Sequence, residues 1–188
     1  MTCIVGIEHN GSVYIGADSA GVGNIITPRA DIKAFFSKNK EFIYGFTSSF
    51  RMGQILQHSF TAPERDKKMK DDFEYLVAVY VPALMECMSE RGYASVNNNR
   101  VSGGTFMLGY RGKLYTIDSD FQVGRSLHGY DPVGCGQEMA LGSLYTSTKM
   151  GVKDPKKILT LALDAASEFS TGVCGPYNFV TLKPRGTE

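Results

Sequence analysis

Hydrophobic and polar positions divide the chain into alternating blocks of predicted strands and helices, beginning with a hairpin. Two apolar runs, at residues 2–8 and 13–18, flank Asn10-Gly11, and an Asn-Gly pair between such runs is the strongest short signal for a β-hairpin. Neither run alternates cleanly, so both strands carry apolar side chains on both faces. Strands of this kind are typical of the interior of a layered fold. A second strand pair is predicted at 32–36 and 41–47.

Helical spacing replaces this pattern in the middle of the chain. A helix that ends at Gly92 is predicted from apolar residues at i, i+3, i+4 and i+7 spacing, which are Phe73, Leu76, Val77, Tyr80, Leu84 and Met88. Pro82 lies inside this pattern, so we expect it to kink or split the helix. A shorter helix is predicted at 52–58, and the polar segment 62–70 is expected to be a solvated connection.

The second half of the chain repeats the order of strands followed by helices. The predicted elements are strands at 104–110 and 113–118, a short segment at 121–125, helices at 137–150 and 154–170, and a last strand at 177–182. Asp154-Pro155 is a typical helix start. This order predicts an α+β fold in which two hairpin-built sheets pack together with helix pairs outside. The pattern contains no domain linker, so a single domain over residues 1–188 is predicted.

Composition and charge narrow the range of functions. With 43% apolar and 21% charged residues, the chain is not expected to be disordered, and no apolar run approaches the roughly 20 residues of a membrane span. Twenty basic and 19 acidic residues give a net charge of +1, so we expect no nucleic-acid or membrane partner. The four cysteines form no C-x-x-C pair and the start lacks a secretory signal, which predicts reduced thiols and a cytoplasmic location.

The candidate chemistry begins at Thr2. Its side chain is small enough for Met1 to be removed, which would make Thr2 the N-terminal residue. An N-terminal threonine carries a hydroxyl nucleophile and an α-amine base, and an α-amine has a pKa of about 8, which suits proton transfer near neutral pH. Thr2 as the mere start of a strand is the alternative interpretation.

Asp18 and Lys33 are the charged residues that could accompany Thr2. The hairpin register pairs Cys3 with Asp18 and Thr2 with Ser19, and strict alternation then places Thr2 and Asp18 on opposite faces unless a bulge or a twist intervenes. A buried Lys33 would need a carboxylate partner such as Asp18, and its ammonium would lower the pKa of a neighbouring α-amine.

Further segments carry a family resemblance in the same order along the chain. They are Thr2-Cys-Ile-Val-Gly-Ile, Gly16-Ala-Asp18-Ser19, Gly23-Asn24, Lys33, Tyr44-Gly45-Phe46-Thr47-Ser48-Ser49, Val133-Gly134-Cys135-Gly136-Gln137 and the stretch 165–172. Together they resemble proteasome β-type subunits, in particular the bacterial heat-shock proteasome-like peptidase, a threonine N-terminal nucleophile hydrolase. The resemblance implies a four-layer αββα sandwich and a threonine endopeptidase that cleaves peptide or unfolded-protein substrates through an acyl-enzyme on Thr2.

The resemblance also implies roles for other residues of the site. The α-amine of Thr2 would be the base, and Asp18 and Lys33 would be the charge pair. The backbone N–H of Ser48 would be the oxyanion donor. The positions that match the family's supporting residues are Ser19, Cys135, Glu168 and Thr171. An alternative alignment would use Asp164 and Ser167 but loses the match at Gly172. Cys135 stands where the family has serine, and a thiol is a weaker donor and acceptor.

These departures leave two alternatives to a threonine peptidase. One is a catalytically inactive, proteasome-like structural or assembly protein, and the other is an amidase for small molecules. The resemblance further implies a homo-oligomeric ring, sixfold or sevenfold and stacked in pairs, which a ring ATPase supplies with substrate.

Two smaller expectations concern a cation and the substrate pocket. By resemblance, backbone carbonyls of Ser167, Ser170 and Val173 match the positions that hold a monovalent cation such as sodium, and no other cofactor is expected. The substrate pocket matches Asp31, Phe46 and Phe50. If the Asp31 carboxylate lies in this pocket, cleavage after basic or mixed apolar residues is expected; the alternative is that Asp31 points to solvent as a turn residue.

Overall fold

The computed structural model describes residues 1–97 and 100–184, and most of its strands form two antiparallel sheets. The strands are β1 (Cys3–His9), β2 (Ser12–Ala17), β3 (Ala20–Val22), β4 (Ile26–Pro28), β5 (Ala34–Phe36), β6 (Phe42–Phe46), β7 (Ser95–Asn97), β8 (Arg100–Ser102), β9 (Phe106–Tyr110), β10 (Lys113–Ile117), β11 (Val123–Gly124), β12 (Tyr130–Gly134) and β13 (Asn178–Leu182). The helices are α1 (Phe50–His58), α2 (Asp72–Tyr75), α3 (Val81–Glu90), α4 (Gln137–Lys149) and α5 (Pro155–Phe169), with a π-helical segment at Leu76–Tyr80 between α2 and α3.

The two large sheets pack face to face and each is covered by helices. One has the strand order β12-β1-β2-β13 and the other β11-β10-β9-β6-β5. Buried side chains such as Ile4, Ile15 and Ile43 fill the space between the sheets. A Cβ on Gly45 would lie 2.5 Å from Ile4 Cγ2 of the facing sheet, so a glycine is required at this contact between the sheets. The α4–α5 pair covers the first sheet, α1 and the helical segments 72–90 cover the second, and the predicted αββα sandwich is confirmed.

The first hairpin has the predicted register. The pairs run from Ile4 with Ala17 to His9 with Ser12, and Asn10 and Gly11 both have positive φ, at 49° and 74°. This is the backbone conformation for which an Asn-Gly turn is favoured. The open end of the hairpin therefore brings residues 2 and 18 together at one end of the strands.

The proline in the long helical pattern is accommodated by a change of helix type. Pro82 lies in the first turn of α3, where its missing N–H and fixed φ are tolerated. The five residues before α3, Leu76–Tyr80, form a π-helical turn. The helix is thus divided at the predicted place without an intervening loop.

Several short strands were not predicted from the pattern. The edge strand β12 contains Asp131 and Pro132, and proline is tolerated there because an edge strand need not donate every ladder hydrogen bond. The hairpin β3–β4 occupies the glycine-rich connection before Lys33, and three-residue strands are too short to produce a periodicity. No helix in the described part of the chain is long and apolar enough to cross a membrane.

Candidate active site

Thr2 and Asp18 lie just beyond the ends of the paired strands. Thr2 precedes β1 and Asp18 follows β2, and the backbone N–H of Asp18 donates to the carbonyl of Cys3 at 3.2 Å. Both side chains are buried, and Thr2 is 4% exposed. Because neither residue belongs to a strand, the alternation of faces does not separate them, and no bulge is needed between them.

Lys33 joins the two residues. Its Nζ donates to Thr2 Oγ1 at 2.7 Å, to Asp18 Oδ1 at 2.9 Å and to the carbonyl of Ala20 at 2.7 Å. An ammonium has three donors, so every N–H of Lys33 has an acceptor although the residue is only 1% exposed. This arrangement meets the requirement that a buried charge be both paired and hydrogen-bonded.

The Asp18 carboxylate is held by backbone groups as well as by Lys33. Its Oδ1 accepts from the N–H of Cys3 at 3.0 Å, and its Oδ2 accepts from the N–H of Ala20 at 2.8 Å. The carboxylate is therefore oriented by the first residues of β1 and β3. Its negative charge lies beside the Lys33 ammonium, which donates one hydrogen bond to Asp18 and another to the hydroxyl of Thr2.

Burial changes the acidity of two groups in this cluster. It lowers the pKa of the Lys33 ammonium from its ordinary value, and the neighbouring Asp18 carboxylate opposes this change. Burial, with a smaller contribution from Asp18, raises the pKa of the Cys3 thiol to about 12. Cys3 thus stays protonated at neutral pH and is a structural residue of the core.

The backbone nitrogen of Thr2 faces a thiol. Its N–H donates to Cys135 Sγ at 3.3 Å, and the hydroxyl of Thr2 also contacts the carbonyl of Met1. Cys135 is exposed in the turn between β12 and α4. Gly134, with a φ of 105°, precedes it, and a Cβ there would lie 2.2 Å from the carbonyl oxygen of Thr2. Only glycine fits this approach of the turn to the start of β1.

Ser48 follows β6 in a conformation that is unusual for a residue with a side chain. Its φ is 67°, and its hydroxyl oxygen accepts from the backbone N–H of Thr105 at 3.1 Å. Ser48 is exposed and follows Thr47, whose Oγ1 would lie 3.4 Å from a Cβ on Gly134, the glycine that contacts the Thr2 carbonyl.

The structure does not join all predicted supporting residues to Thr2. Ser19 is buried, and its hydroxyl and its N–H both donate to the carbonyl of Cys174, so it holds the loop after α5. Glu168 and Thr171 are exposed, and neither side chain forms a hydrogen bond or ion pair within the described ranges 1–97 and 100–184.

The alternative alignment of the α5 region leads to a different neighbour. Asp164 and Ser167 both interact with the hydroxyl of Tyr177, whose pKa is raised chiefly by burial, while Ser167 opposes the rise and Asp164 adds to it. Tyr177 directly precedes the strand β13, which pairs with β2 beside Asp18. Asp164 and Ser167 are therefore linked through Tyr177 to the start of β13.

The predicted pocket residues line one cavity. Asp31, Phe46 and Phe50 surround a space of about 480 Å³ together with residues of α1, among them Gln54 and His58. The Nζ of Lys33 lies 5.7 Å from the centre of the Phe50 ring, so the cavity adjoins the Thr2 cluster. This juxtaposition connects the cavity with the candidate nucleophile.

The Asp31 carboxylate already has a cationic partner. Arg29 donates to its Oδ2 from Nε at 2.8 Å and from Nη2 at 2.6 Å, and both side chains are about half exposed, at 48% and 49%. The guanidinium also lies 4.6 Å from the centre of the Phe50 ring. A basic substrate side chain would have to displace Arg29, which weakens the argument for a preference for basic residues.

The positions matched to a cation lie in and after the last turn of α5. Val173 N–H donates to the Ser170 carbonyl at 3.4 Å, so this carbonyl has one lone pair left for a cation. In the described ranges, no cluster of three or more His, Cys, Asp or Glu side chains could hold a metal ion. A sodium site at Ser167, Ser170 and Val173 stays a prediction.

Backbone groups account for most of what sequence reasoning missed. Ala20 supplies an acceptor to Lys33 and a donor to Asp18, and the carbonyl of Cys174 fixes Ser19. These groups exist in every residue type, so no side-chain pattern indicates them. The positive φ of Gly134 could have been suspected from the Gly-Cys-Gly segment that contains it.

The arrangement of layers identifies the class of fold. A comparison with solved structures shows that the chain has the αββα fold of the HslV- and proteasome-type peptidases, as the sequence resemblance predicted. The chain is similar to BPH from Thiobacillus denitrificans in complex with epoxomicin, with 17% identity, a TM-score of 0.77 and coverage of 97% of this chain and 100% of that one.

Two other similar structures come from different organisms. Eukaryotic HslV from Trypanosoma brucei is 16% identical with a TM-score of 0.68, over 97% of this chain and 99% of that one. A Gly-1 mutant of Anbu from Hyphomicrobium sp. strain MC1 is 14% identical with a TM-score of 0.65, over 97% of this chain and 82% of that one. No family model matches the sequence, and no curated protein matches it. At these identities the comparisons concern the fold.

Proposed function

We propose that the chain is a threonine peptidase that cleaves peptide bonds through an acyl-enzyme on Thr2. The observation that carries this proposal is the hydrogen bond of 2.7 Å from Lys33 Nζ to Thr2 Oγ1 within a buried cluster that also contains Asp18. A threonine that only begins a strand requires no buried ammonium beside its hydroxyl. A threonine nucleophile is stabilised by such an ammonium, because its oxygen carries negative charge during attack.

The proposed reaction starts when removal of Met1 frees the α-amine of Thr2. The amine takes the proton of Oγ1, and the oxygen attacks the carbonyl carbon of the substrate peptide bond. The backbone N–H of Ser48 donates to the resulting oxyanion. The protonated amine then gives its proton to the departing amino group, the C–N bond breaks, and the acyl group remains as an ester on Oγ1. Water, deprotonated by the same amine, hydrolyses the ester and restores Thr2.

The charge pair has a defined part in this cycle. The Lys33 ammonium favours the neutral, basic form of the adjacent amine and stabilises negative charge on Oγ1. The Asp18 carboxylate keeps the lysine in place. Cys135 accepts a hydrogen bond from the nitrogen of Thr2 and so orients the amine through a sulfur lone pair.

The cavity beside the cluster is the proposed site for the substrate side chain before the cleaved bond. Its carboxylate, Asp31, and the guanidinium of Arg29 neutralise each other, and two phenylalanines form apolar walls. We therefore expect cleavage after uncharged side chains. A fluorogenic peptide series, compared between the natural chain and Asp31→Asn, measures this preference.

The proposed enzyme works as a homo-oligomeric ring that encloses the nucleophiles, with a ring ATPase as the source of unfolded substrate. The fold shared with HslV- and proteasome-type peptidases supports this assembly. Sedimentation velocity at micromolar concentration is expected to give a particle of six or more subunits. A stable monomer at that concentration contradicts the ring.

Mass spectrometry of the purified chain tests the chemistry directly. Loss of Met1 is expected, followed by covalent addition of epoxomicin, the ligand of the BPH complex, at Thr2. Thr2→Ala is expected to abolish both labelling and peptide hydrolysis, whereas the matched control Thr2→Ser keeps a hydroxyl and retains both in part. Hydrolysis that survives Thr2→Ala refutes the proposal.

The same experiment separates the two alternatives. A chain that keeps Met1 and binds no epoxomicin fits an inactive structural or assembly protein. A chain that is labelled at Thr2 but cleaves only small amides fits an amidase.

A further inference from the structure

The backbone at Ser48 forms a strained turn. The N–H of Ser49 donates to the carbonyl of Thr47 at 2.8 Å, and the residue between them, Ser48, has a φ of 67°. A hydrogen bond from i+2 to i around a central residue of positive φ defines the classic γ-turn, which is rare and strained. The strain is greater for a residue with a Cβ than for glycine.

The hydroxyl of Ser48 takes part in the sheet next to this turn. β6 and β9 pair regularly up to Phe46 with Phe106, and the next pair is Thr47 with Thr105. Thr47 N–H donates to the Thr105 carbonyl at 3.1 Å, and a regular antiparallel pair would return a bond from Thr105 N–H to the Thr47 carbonyl. Instead, Thr105 N–H donates to Ser48 Oγ at 3.1 Å.

This exchange of acceptors has a geometric consequence. The side-chain oxygen replaces the Thr47 carbonyl in the ladder, so that the carbonyl is free to close the γ-turn with Ser49. The Thr47 carbonyl and the Ser48 N–H belong to the same trans peptide and point in opposite directions. Holding the carbonyl toward Ser49 therefore fixes the direction of the Ser48 N–H, which has no acceptor among residues 1–97 and 100–184 and lies at an exposed position.

We propose that the Ser48 hydroxyl is a positioning group, which accepts the Thr105 N–H and thereby holds the γ-turn with the Ser48 N–H oriented toward the substrate oxyanion. The inference rests on the proposed peptidase function and adds to it a role for the side chain. The oxyanion donor itself is a backbone group that any residue supplies. The hydroxyl is what allows a residue other than glycine to keep this donor in place.

Two substitutions separate this role from its alternatives. Ser48→Ala removes the acceptor and keeps the strain of a Cβ at positive φ, whereas Ser48→Gly removes both. With active sites titrated by epoxomicin, Ser48→Ala is expected to lower kcat about tenfold or more, with KM changed less than twofold, because misplacement of a donor acts mainly in the transition state. Ser48→Gly is expected to restore kcat to within about threefold of the natural chain, since glycine adopts the turn freely.

The outcomes of these kinetics are distinct. If the hydroxyl contacts the substrate directly, glycine and alanine lose activity equally, which overturns the proposal. If the hydroxyl contributes only to folding, the two variants differ in the fraction of active sites but keep the natural kcat per site, which also overturns it.

Hydrogen exchange at the Thr105 amide supplies a second measurement that does not require activity. The natural chain is expected to protect this amide, and both Ser48 variants are expected to raise its exchange rate about tenfold or more. Ser95→Ala, which removes an exposed hydroxyl that is hydrogen-bonded to the hydroxyl of Ser102, is the matched control and leaves the rate unchanged. An amide that exchanges equally in the natural chain and in Ser48→Ala refutes the hydrogen bond, and hence the positioning role.

The two measurements also distinguish failure of the inference from failure of the proposed function. If the Met1-free chain is not labelled at Thr2, the peptidase proposal fails and the catalytic part of the role fails with it, while the exchange rates still report on the turn. If labelling occurs and Ser48→Ala keeps the natural kcat, only the positioning role fails.

Discussion

Replacement of Asp18 by asparagine is the sharpest test of the buried charge pair. The carboxylate accepts hydrogen bonds from Lys33 Nζ and from the backbone N–H groups of Cys3 and Ala20. An amide has one acceptor oxygen and turns an NH₂ group toward these donors. In Asp18→Asn, the ammonium of Lys33, at 1% exposure, also loses its counter-charge.

The expected loss of stability follows from these contacts. Removing one partner of a buried ion pair costs about 3–5 kcal/mol, and for a chain of 188 residues each kcal/mol lowers the melting temperature by about 2–4 °C. The melting temperature of Asp18→Asn is therefore expected to fall by roughly 6–20 °C. Calorimetry and urea denaturation measure this loss of stability. The difference in melting temperature between Asp18→Asn and the natural chain is expected to change little between about 50 and 500 mM salt, because the pair is shielded from solvent.

Asp31→Asn is the matched control, because it also breaks an Asp–cation pair. The pair of Asp31 with Arg29 has a similar distance, 2.6 Å, but both side chains are about half exposed, so its loss is expected to cost about 0–1 kcal/mol and to shrink with salt. The double variant Asp18→Asn with Lys33→Met is expected to regain part of the stability lost by Asp18→Asn alone, since no unpaired ammonium remains. If the free energy of unfolding of Asp18→Asn lies within about 1 kcal/mol of that of the natural chain, the buried pair does not stabilise the fold as expected.

Three further predictions concern residues around the cluster. Treatment with a maleimide is expected to inactivate the natural chain and the Cys87→Ser variant but not Cys135→Ser, because Cys135 is exposed and 3.3 Å from the nitrogen of Thr2; equal sensitivity of Cys135→Ser contradicts this. Gly134→Ala is expected to lose roughly 3 kcal/mol or more of unfolding free energy, because its Cβ would lie 2.2 Å from the Thr2 carbonyl. Gly142→Ala, in open space on α4, is the control and is expected to gain up to about 1 kcal/mol. Finally, burial raises the Cys3 pKa to about 12, above the unfolded value of about 8.5, so its contribution is full below about pH 8.5 and is lost as pH rises toward 12. Urea denaturation at pH 8 and 10 should show a slope of up to about 1.4 kcal/mol per pH unit that Cys3→Ala removes, and an unchanged slope refutes the assignment.

The layers and the hairpin register were predictable from the sequence because they depend on long apolar runs and one clear turn. Ile4 pairs with Ala17 as the Asn10-Gly11 turn requires, and the helix α5 begins after its Asp154 cap. Lys33 could be connected to Asp18 because a buried ammonium requires a carboxylate. These inferences use side-chain chemistry that the sequence displays.

The parts that could not be predicted depend on the backbone or on distant packing. The edge strand β12 contains Pro132, which conceals its pairing with β1. Glu168 occupies the expected place in the sequence but is exposed, because the helical phase near the end of α5 turns it away from the sheet. The engagement of Asp31 by Arg29 depends on a local ion pair that spacing alone does not determine.

Backbone groups hold much of the cluster in place, in a fold shared with structures that are only 14–17% identical in sequence. Asp18 is held by the N–H groups of Cys3 and Ala20, and Lys33 by the carbonyl of Ala20. These groups persist when the side chains change, provided that the strands keep their register. In the proposed reaction, Ser48 supplies a backbone N–H in a γ-turn and Cys135 supplies one lone pair beside the nitrogen of Thr2. A different side chain at position 48 therefore changes how this N–H is held in place, whereas the lone pair at position 135 depends on the side chain itself.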